Sequence, residues 1–408
     1  MNIILINHYA SIPEMGMEFR PYYLAKEWVK LGNDVTIIAA SFSHLRKKQP
    51  KIKEEIKIEL IEGIRYIWIK TPTYKGNSTG RIFNMFYFVK KLQKYSKKIA
   101  TEYKPNVVIA SSTYPLDIFP AKKISKKSKA KLIFEIHDLW PLSPMELGGY
   151  SKYHPFIMTM QYAENFAYKN VNAVISILPK TKQHTIEHGL PPQKWFHVPN
   201  GIVIENTEGQ EKIPENYKKI LEKLKSENKI IIGYAGGHAI SNSLNTLVET
   251  AKILRDNSKF VFVLVGNGTE KQNLIKQSKG LPNIVFLDSI PKKQIPNLLS
   301  YTDYLFIGWQ KSNLYRFGIS PNKIFDYMLA EKPIIHAVTA GNDNVKEANA
   351  GISIKPENPK AIADAIIELN KMSDQDKINF GKNGKNYVIK NHDYKILSAN
   401  FLQILKQC

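Results

Sequence analysis

The chain repeats one local pattern over most of its 408 residues: a short apolar segment that suits a buried strand, then an amphipathic segment that suits a helix. In residues 1–200 the apolar segments do not alternate with polar residues, which is typical of parallel strands covered on both faces. Helical segments such as Phe19–Leu31 and Leu116–Lys127 separate them. The strand candidates are Ile3–Ile6, Val35–Ala39, Val107–Ala110, Leu132–Ile136 and Ala173–Ile177, with a further strand pair over Ile58–Ile69.

The same pattern restarts after residue 228. Strands that alternate with helices of about ten residues predict βαβ units and a parallel sheet. The strand candidates of this half are Ile230–Tyr234, Phe260–Val265, Ile284–Leu287, Tyr304–Ile307 and Pro333–His336. The helix candidates are Leu244–Leu254, Glu270–Gln277, Ile295–Tyr301 and Lys323–Ala330.

This repetition predicts an α/β fold with two Rossmann-like, doubly wound parallel-sheet domains that face a central cleft at the carboxyl ends of their strands. A length of 408 residues agrees with two domains. The polar segment 205–228 separates the two halves, so we place an N-terminal domain over 1–205 and a C-terminal domain over 206–392. The last helix, 393–408, is expected to pack back on the first domain.

The composition excludes several classes of protein. The one cysteine, Cys408, excludes a disulfide framework and a cysteine-rich zinc site, and it suits a reducing cytoplasm. A hydrophobic content of 43% is enough for two buried cores. The first residues carry no basic region before their apolar run, and no apolar run is long enough to cross a bilayer. We therefore expect a cytoplasmic protein.

The net charge of +22 is concentrated in the first half, since residues 1–200 hold 30 Lys and Arg against 15 Asp and Glu. Such an excess indicates an anionic partner, namely a membrane surface, a nucleic acid or a phosphorylated substrate, or else a solvated lysine-rich surface. Residues 81–99 predict a basic amphipathic helix that either lies in a membrane interface or packs its apolar stripe on the sheet. The stripe is Ile82, Phe86, Val89 and Leu92, flanked by Lys90, Lys91, Lys94, Lys97 and Lys98.

Most standard catalytic and nucleotide-binding motifs are missing. The chain has no Walker A sequence and no G-x-G-x-x-G after the first strand of either half. Glycine turns do follow two strands of the second half, at Gly236-Gly237-His238 and at Gly266-Asn267-Gly268. A strand, a glycine turn and a helix N-terminus together present backbone N–H groups to an anion. A tight βα turn without a ligand also explains one such feature.

A third segment of the second half runs from a strand into a helix. Ser320 is expected to be the N-cap and Pro321 the first helical residue. Lys323 and Asp326 then share one face of the helix. Arg316 or Lys323 could hold phosphate oxygens while Asp326 accepts hydrogen bonds from a ribose diol, as a nucleotide-sugar requires. The alternative is a capped surface helix with an exposed ion pair, worth only a few tenths of a kcal/mol.

The motifs follow one another in a characteristic order. They are Gly16 within Pro13-Glu14-Met15-Gly16-Met17-Glu18, then His137-Asp138-Leu139-Trp140-Pro141, Val198-Pro199-Asn200-Gly201-Ile202, the two glycine turns, and SPNKIFDYM with Lys332-Pro333-Ile334. In this order and spacing they resemble the retaining glycosyltransferases of family 4, over nearly the whole chain. The resemblance implies the GT-B fold and transfer of a sugar from a nucleotide-sugar.

A narrower resemblance lies in the opening PEMGMEFRPYYLAKEW, followed by SHLRKK. These segments look like the bacterial WbuB type of glycosyltransferase. That group is associated with the transfer of N-acetyl-fucosamine-like sugars during O-antigen and capsule assembly. The narrower resemblance favours a UDP-linked donor.

The resemblance assigns the donor site to the second half. Asp326 matches the family's acidic residue that binds the donor ribose. Gly318 stands where the family has its first acidic residue, while Gly237 and Asn242 stand where it has a phosphate-binding Arg and Lys. His238 and Asn242 are therefore expected to form hydrogen bonds with the donor. Arg316 and Lys323 are expected to neutralise the charge of its diphosphate. The expected donor-binding residues are Gly236, Gly237, His238, Asn242, Gly266, Arg316, Ser320, Asn322, Lys323 and Asp326.

The first half is expected to supply the catalytic and acceptor residues. His137, at the carboxyl end of a strand, is the candidate for positioning the donor sugar or the acceptor hydroxyl, and Asp138 is expected to orient it. The alternative for this pair is a purely structural loop. Gly16, Glu18 and Arg20 are expected on the acceptor side, unless Gly16 serves only the turn before a helix.

The sequence thus predicts a retaining glycosyltransferase that uses a UDP-sugar and a lipid-linked saccharide acceptor, with peripheral association with the anionic inner face of the cell membrane. No metal or other cofactor is expected, because cationic groups can stabilise the leaving diphosphate. Two alternatives stay open. One is a nucleotide-sugar 2-epimerase of the same architecture. The other is a nucleic-acid-binding protein, for which no recognition-helix, OB or RRM signature is present.

Overall fold

The computed structural model describes residues 1–16, 19–76, 79–204 and 211–408. These residues form two compact units. The first is Met1–Val203 together with Tyr394–Cys408, and the second is Ile204–Asp393. The boundary predicted after residue 205 lies in the segment 205–210, outside the described residues.

The first unit is built on an eight-stranded sheet in the order β3-β4-β2-β1-β5-β6-β7-β8. All neighbours are parallel except β3 and β4, which form the strand pair expected near residues 58–69. The strands are β1 (Asn2–Ile6), β2 (Asp34–Ala40), β3 (Ile56–Ile61), β4 (Ile64–Ile69), β5 (Val107–Ala110), β6 (Lys131–Ile136), β7 (Ala173–Ser176) and β8 (Trp195–His197). The helices are α1 (Arg20–Lys30), α2 (Thr79–Tyr103), α3 (Ile118–Ser128), α4 (Leu142–Gly148), α5 (Pro155–Asn170) and α6 (Lys182–Glu187).

The second unit has a six-stranded, wholly parallel sheet in the order β11-β10-β9-β12-β13-β14. Its strands are β9 (Ile230–Ala235), β10 (Phe260–Val265), β11 (Ile284–Leu287), β12 (Tyr304–Gly308), β13 (Ile334–Ala337) and β14 (Gly351–Ile354). Its helices are α7 (Glu215–Ser226), α8 (Leu244–Ile253), α9 (Lys271–Gln277), α10 (Ile295–Ser300), α11 (Asn322–Leu329), α12 (Asn344–Glu347), α13 (Pro359–Lys371) and α14 (Asp374–Asn391). The predicted α/β class with two parallel-sheet domains is confirmed.

The strand order reverses direction once in each sheet, between β1 and β5 in the first unit and between β9 and β12 in the second. Ligands of doubly wound folds bind outside the carboxyl ends of the strands at such a point. The loops that follow these strands are therefore where a site is expected in each unit.

The chain returns to the first unit at its end. Helix α15 (Tyr394–Gln407) packs on α1, where the Trp28 indole N–H donates to the Ser398 carbonyl at 3.1 Å. The Trp28 and Phe401 rings lie 5.1 Å apart, and both side chains are fully buried. The last helix thus completes the core on this face of the first sheet.

Helix α2 packs into the first unit by a different face from the predicted stripe. Its buried residues are Asn84, Met85, Phe88, Leu92, Ser96, Ile99 and Ala100. Of the predicted stripe only Leu92 is buried, and Phe86 is 40% exposed. Phe83 is 61% exposed, so the helix both packs on the sheet and presents aromatic rings to solvent. No helix among the described residues combines the length and apolarity that spanning a membrane requires.

Candidate functional site

Two glycine loops of the second unit lie against each other at the carboxyl ends of β9 and β10. The Gly236 N–H donates to the Val265 carbonyl at 3.0 Å, and the His238 N–H donates to the Asn267 carbonyl at 3.0 Å. These two backbone N–H groups are bonded to the neighbouring loop and do not face an anion, which supports the alternative of a tight turn at these two positions. Gly266 permits this approach, because a Cβ there would lie 1.9 Å from the Gly236 carbonyl oxygen.

Lys323, in the first turn of α11, reaches into this pair of loops. Its ammonium donates to the Tyr234 hydroxyl at 2.8 Å and to the Asn242 side-chain oxygen at 2.7 Å. Burial lowers the pKa of Lys323 to about 8. Within the described part of the chain no carboxylate pairs with this ammonium. An anion that entered here would meet a positive charge that the fold has left unbalanced.

The two neutral partners of Lys323 also hold the glycine turn. The Tyr234 hydroxyl donates to the Gly237 carbonyl at 2.7 Å, and the Asn242 amide donates to the same oxygen at 2.9 Å. The predicted residues Gly237, Asn242 and Lys323 are thus brought together. Tyr234 was missed, because it lies inside an apolar strand and looks like a core residue in the sequence.

Asp326 lies one turn further along α11 and forms an ion pair with Lys292. The alternative of a Lys323–Asp326 pair is excluded by this arrangement, since the two side chains have different partners. Helix α11 begins at Asn322, and its N-cap is Pro321. The prediction of Ser320 as N-cap and Pro321 as first helical residue is therefore wrong by one position, because the backbone of Pro321 is still extended.

The remaining predicted cation of this segment sits on the surface. Arg316 is exposed, donates to the Asn313 carbonyl at 2.6 Å and lies over the Phe317 ring at 4.3 Å. Asn322 is also exposed. Lys323 is thus the cation that the fold places against the glycine turn.

His238 is fully buried, and within the described residues neither of its ring nitrogens has a hydrogen-bond partner. Its ring stacks on Tyr234 with a centroid separation of 5.9 Å. Burial, and then the charges of Lys271 and Lys323, lower its pKa to about 4, so the imidazole is neutral near pH 7. A neutral imidazole offers one donor and one acceptor, which agrees with the predicted role as a hydrogen-bond partner.

A partly buried chain of polar groups supports the loop before α11, and it was not predicted from the sequence. The Trp309 indole donates to His336 Nε2 at 3.1 Å, and His336 Nδ1 donates to Asp343 at 2.8 Å. Asn342 bonds both the N–H and the carbonyl of Ile319, at 2.7 and 3.1 Å. The segment after β13 therefore fixes the backbone that leads into the Lys323 helix.

In the first unit His137 belongs to a buried network at the carboxyl ends of β5 and β6. Its Nε2 lies 3.0 Å from the Ser111 hydroxyl and 3.1 Å from Glu135 Oε2. The Ser111 hydroxyl donates to the same carboxylate oxygen at 2.6 Å. Because Ser111 and Glu135 face Nε2, that nitrogen carries the proton in the neutral form of the ring, which leaves Nδ1 as the acceptor.

Glu135 is charged despite being fully buried. Burial raises its pKa, but the charge of Arg20 and the hydrogen bonds from His137 and Ser111 outweigh that effect and hold the pKa at about 2. Arg20 lies 2.9 Å from the carboxylate and also donates to the carbonyls of Val198 and Pro199. The expectation that Arg20 lines the acceptor side is therefore wrong, because it is only 4% exposed and serves Glu135 and the backbone.

The predicted partner of His137 is also corrected. Asp138 accepts from the Leu139 N–H at 2.9 Å and from the Ser143 hydroxyl at 2.5 Å, so it braces the start of α4. Glu135 takes the orienting role that was predicted for Asp138. Gly16 has a φ of +112° and forms an isolated antiparallel β-bridge with Arg46. Both observations support the structural alternative for this glycine. Glu18 lies outside the described residues.

Comparisons with known protein families agree with this two-part organisation. Residues 15–206 match the family model described as Glycosyltransferase Family 4. Residues 215–387 match the model described as Glycosyl transferases group 1. No curated protein has a sequence that matches this chain.

Solved structures with similar folds cover the whole chain. Sucrose-phosphate synthase from Thermosynechococcus elongatus has a TM-score of 0.73 at 15% identity, covering 100% of this chain and 98% of its own. A glycosyltransferase from Rickettsia africae has a TM-score of 0.69 at 18% identity, with coverage of 100% and 98%. The Anabaena protein HepE, in complex with UDP and glucose, has a TM-score of 0.66 at 14% identity, with coverage of 100% and 99%. At these identities the likeness establishes the fold, which is that of GT-B glycosyltransferases.

The contact between the two glycine loops predicts a sharp difference between two substitutions. Gly266→Ala should destabilise the second unit by about 2–4 kcal/mol, because its φ of +153° and its contact with Gly236 leave no room for a side chain. Gly237→Ala is the matched control, since no atom lies within 4 Å of a Cβ there, and it should change stability by less than about 1 kcal/mol. Calorimetric unfolding of both variants measures this, and equal effects would contradict the contact.

Proposed function

Since the chain is a glycosyltransferase whose family 4 domain precedes a group 1 domain, we propose that its second unit binds a nucleotide diphosphate-sugar through Lys323 and the loops around it. The observation that carries this proposal is the unbalanced ammonium of Lys323, held between Tyr234 and Asn242 at the end of β9. A diphosphate supplies the negative charge that this group lacks. Lys323 also stabilises the leaving group as charge develops on it, without a metal ion.

Neighbouring groups support the same ligand. The Asp326 carboxylate follows Lys323 by one helical turn and can accept hydrogen bonds from the two ribose hydroxyls, with Lys292 beside it. His238 supplies a neutral donor and acceptor next to Tyr234, and a phosphate or sugar oxygen would satisfy one of them. These contacts give one cation for the diphosphate and one carboxylate for the sugar diol.

We propose UDP as the carrier and an N-acetyl-fucosamine-like sugar as the transferred group. The narrower resemblance of the opening segments supports both choices, and Anabaena HepE, which shares the fold, was solved with UDP and glucose. Thermal-shift screening of the protein against UDP-, GDP- and dTDP-sugars tests the donor, because a ligand that binds only the folded state raises the melting temperature. Stabilisation by GDP- or dTDP-sugars alone would overturn the UDP assignment.

The role of Lys323 predicts a specific loss of nucleotide affinity. Lys323→Met should weaken UDP binding at least about tenfold, since a charge-assisted contact to phosphate is worth about 1.5–3 kcal/mol. Calorimetric titration measures the dissociation constant. Lys276→Met, at an exposed position of α9, is the control and should bind UDP as the unaltered protein does.

The lowered pKa of Lys323 adds a second readout to the same experiment. Above pH 7.5 the diphosphate is fully ionised, because the last pKa of a phosphate is about 6. UDP affinity should therefore fall as the pH rises through about 8, where Lys323 loses its proton in the free protein. The Lys323→Met variant should show no such fall. A pH-independent affinity in the unaltered protein would count against the assignment.

For the transfer step we propose retention of the anomeric configuration. The bond between the sugar C1 and the diphosphate oxygen breaks, a bond from C1 to the acceptor oxygen forms on the same face, and the acceptor proton passes to the departing diphosphate. His137 Nδ1 accepts a hydrogen bond from a sugar or acceptor hydroxyl. The Glu135 carboxylate and Ser111 support this role, because they hold the proton on Nε2.

Removal of the His137 imidazole should affect turnover more than nucleotide binding. His137→Ala should lower kcat by about 10²–10⁴-fold and leave UDP affinity nearly unchanged, because the nucleotide contacts proposed above lie in the second unit. His197→Ala, at an exposed histidine of the first unit, is the matched control and should keep its activity. Unchanged turnover of His137→Ala would refute the proposed role.

We further propose a lipid-linked saccharide as the acceptor and peripheral attachment to an anionic membrane as the place where the enzyme meets it. Two features of α2 support attachment: the exposed Phe83 and Phe86, and the exposed lysines of the same helix. The lysines are Lys90, Lys94, Lys97 and Lys98. Aromatic rings beside lysines suit the interface of a bilayer that contains acidic lipids.

Vesicle flotation tests this attachment. The protein should float with vesicles that contain phosphatidylglycerol, less so at high salt, and not with pure phosphatidylcholine. Replacing both Phe83 and Phe86 by Ser should reduce flotation several-fold. Leu60→Ser is the control, since Leu60 is 74% exposed but belongs to β3 and not to α2. Flotation that does not depend on acidic lipid would remove the proposal.

A further inference from the structure

The first unit contains a second group of chemically active side chains that the proposed transfer does not use. One ligand atom from each of Glu164, His184 and His188 lies within 4.8 Å of the other two. Two imidazoles and one carboxylate are a donor set found in zinc sites with three protein ligands. We propose that these three residues bind a divalent transition-metal ion, and that zinc is the ion the donor set suits best.

The local structure places both histidines on one side of α6. His184 lies within the helix and His188 is its C-cap, so the two residues are four apart in helical geometry. Their ring centroids are 4.2 Å apart. Histidines four apart on a helix can bind one ion together, because their side chains share a face. Glu164 approaches them from α5.

The ligand atoms are oriented by further hydrogen bonds. His188 Nδ1 donates to the His184 carbonyl at 2.8 Å, which directs the lone pair to Nε2. Glu164 Oε1 accepts from the buried Tyr168 hydroxyl at 2.8 Å, and Glu164 Oε2 accepts from the Gln161 amide at 2.8 Å. Metal-binding histidines and carboxylates are held by such partners, which fix the tautomer and the direction of the ligand.

The spacing is close to that of a bound ion. His184 Nε2 lies 3.0 Å from Glu164 Oε1, while ligands about 2.1 Å from a tetrahedral zinc ion are about 3.4 Å apart. A proton bridges these two atoms in the protein without metal. The ion takes the place of that proton, which passes to solvent. The three ligand atoms lie within 4.8 Å of one another, so small side-chain rotations would bring them to the spacing of a bound ion. The partial exposure of both histidines leaves a fourth coordination position for water.

A simpler explanation is a hydrogen-bonded Glu164–His184 pair that only ties α5 to α6. That explanation does not involve His188 Nε2, whereas a metal site needs it. Substitution of His188 therefore separates the two possibilities.

The experiment uses the full chain with an affinity tag that contains no histidine, stripped of metal by chelator and dialysis. Calorimetric titration with zinc chloride should show one equivalent bound, and His188→Ala should weaken that binding at least about tenfold. His188→Gln, which keeps a donor for the His184 carbonyl, is a second variant in case the first unfolds. Gln183→Ala is the matched control on the same helix, since it removes only an exposed bond to Glu187.

Two further measurements complete the test. Zinc should raise the melting temperature of the unaltered protein and of Gln183→Ala but not of the His188 variants, while Mg²⁺ should have no effect. Cobalt(II) should give the visible absorption of a low-coordinate site in the same two proteins. Absence of zinc binding in the unaltered protein, or equal binding in a His188 variant, would overturn the proposal.

Discussion

The proposed site of the second unit depends on an ammonium group that the fold withdraws from water and that has no carboxylate partner among the described residues. Lys323 is held by two neutral oxygens, from Tyr234 and Asn242, and burial lowers its pKa to about 8. A charge in this situation is costly by itself, because neutral dipoles replace only part of its hydration. Binding of an anion would offset this cost, which is the physical basis of the diphosphate site proposed above.

In the first unit, by contrast, the buried charges are paired. Arg20 and Glu135 neutralise each other inside the protein, 2.9 Å apart. Beside this pair lies His137, whose ring is oriented by Glu135 and Ser111. One unit thus presents a cation without a paired carboxylate among the described residues, suited to hold a nucleotide, and the other presents an oriented imidazole, suited to hold a hydroxyl. This division agrees with the separate donor and acceptor roles of a glycosyltransferase.

Several of the predicted site residues have other partners in the structure than the ones predicted for them. Asp138 follows His137 directly in the chain, yet its carboxylate turns to the start of α4, and Glu135, two residues before His137, serves the imidazole. In an extended strand residues two apart point to the same side, so Glu135 and His137 share a face whereas Asp138 does not. Arg20 was predicted at the acceptor side together with Gly16 and Glu18. The sequence does not reveal that a buried carboxylate lies opposite it.

The local periodicity of the sequence was enough to determine the α/β class and the repetition of βαβ units, since both follow from which residues are apolar over short stretches. The sequence also located the glycine loops after β9 and β10, because a position that approaches another backbone closely, as Gly266 does, requires glycine. Only the tertiary structure decided which groups meet. Tyr234 and Lys323 are 89 residues apart, and Arg20 and Glu135 are 115 apart. Hydrophobic periodicity indicates that a residue is buried, but not which residue it contacts. The contacting residue depends on which strands are neighbours in the sheet.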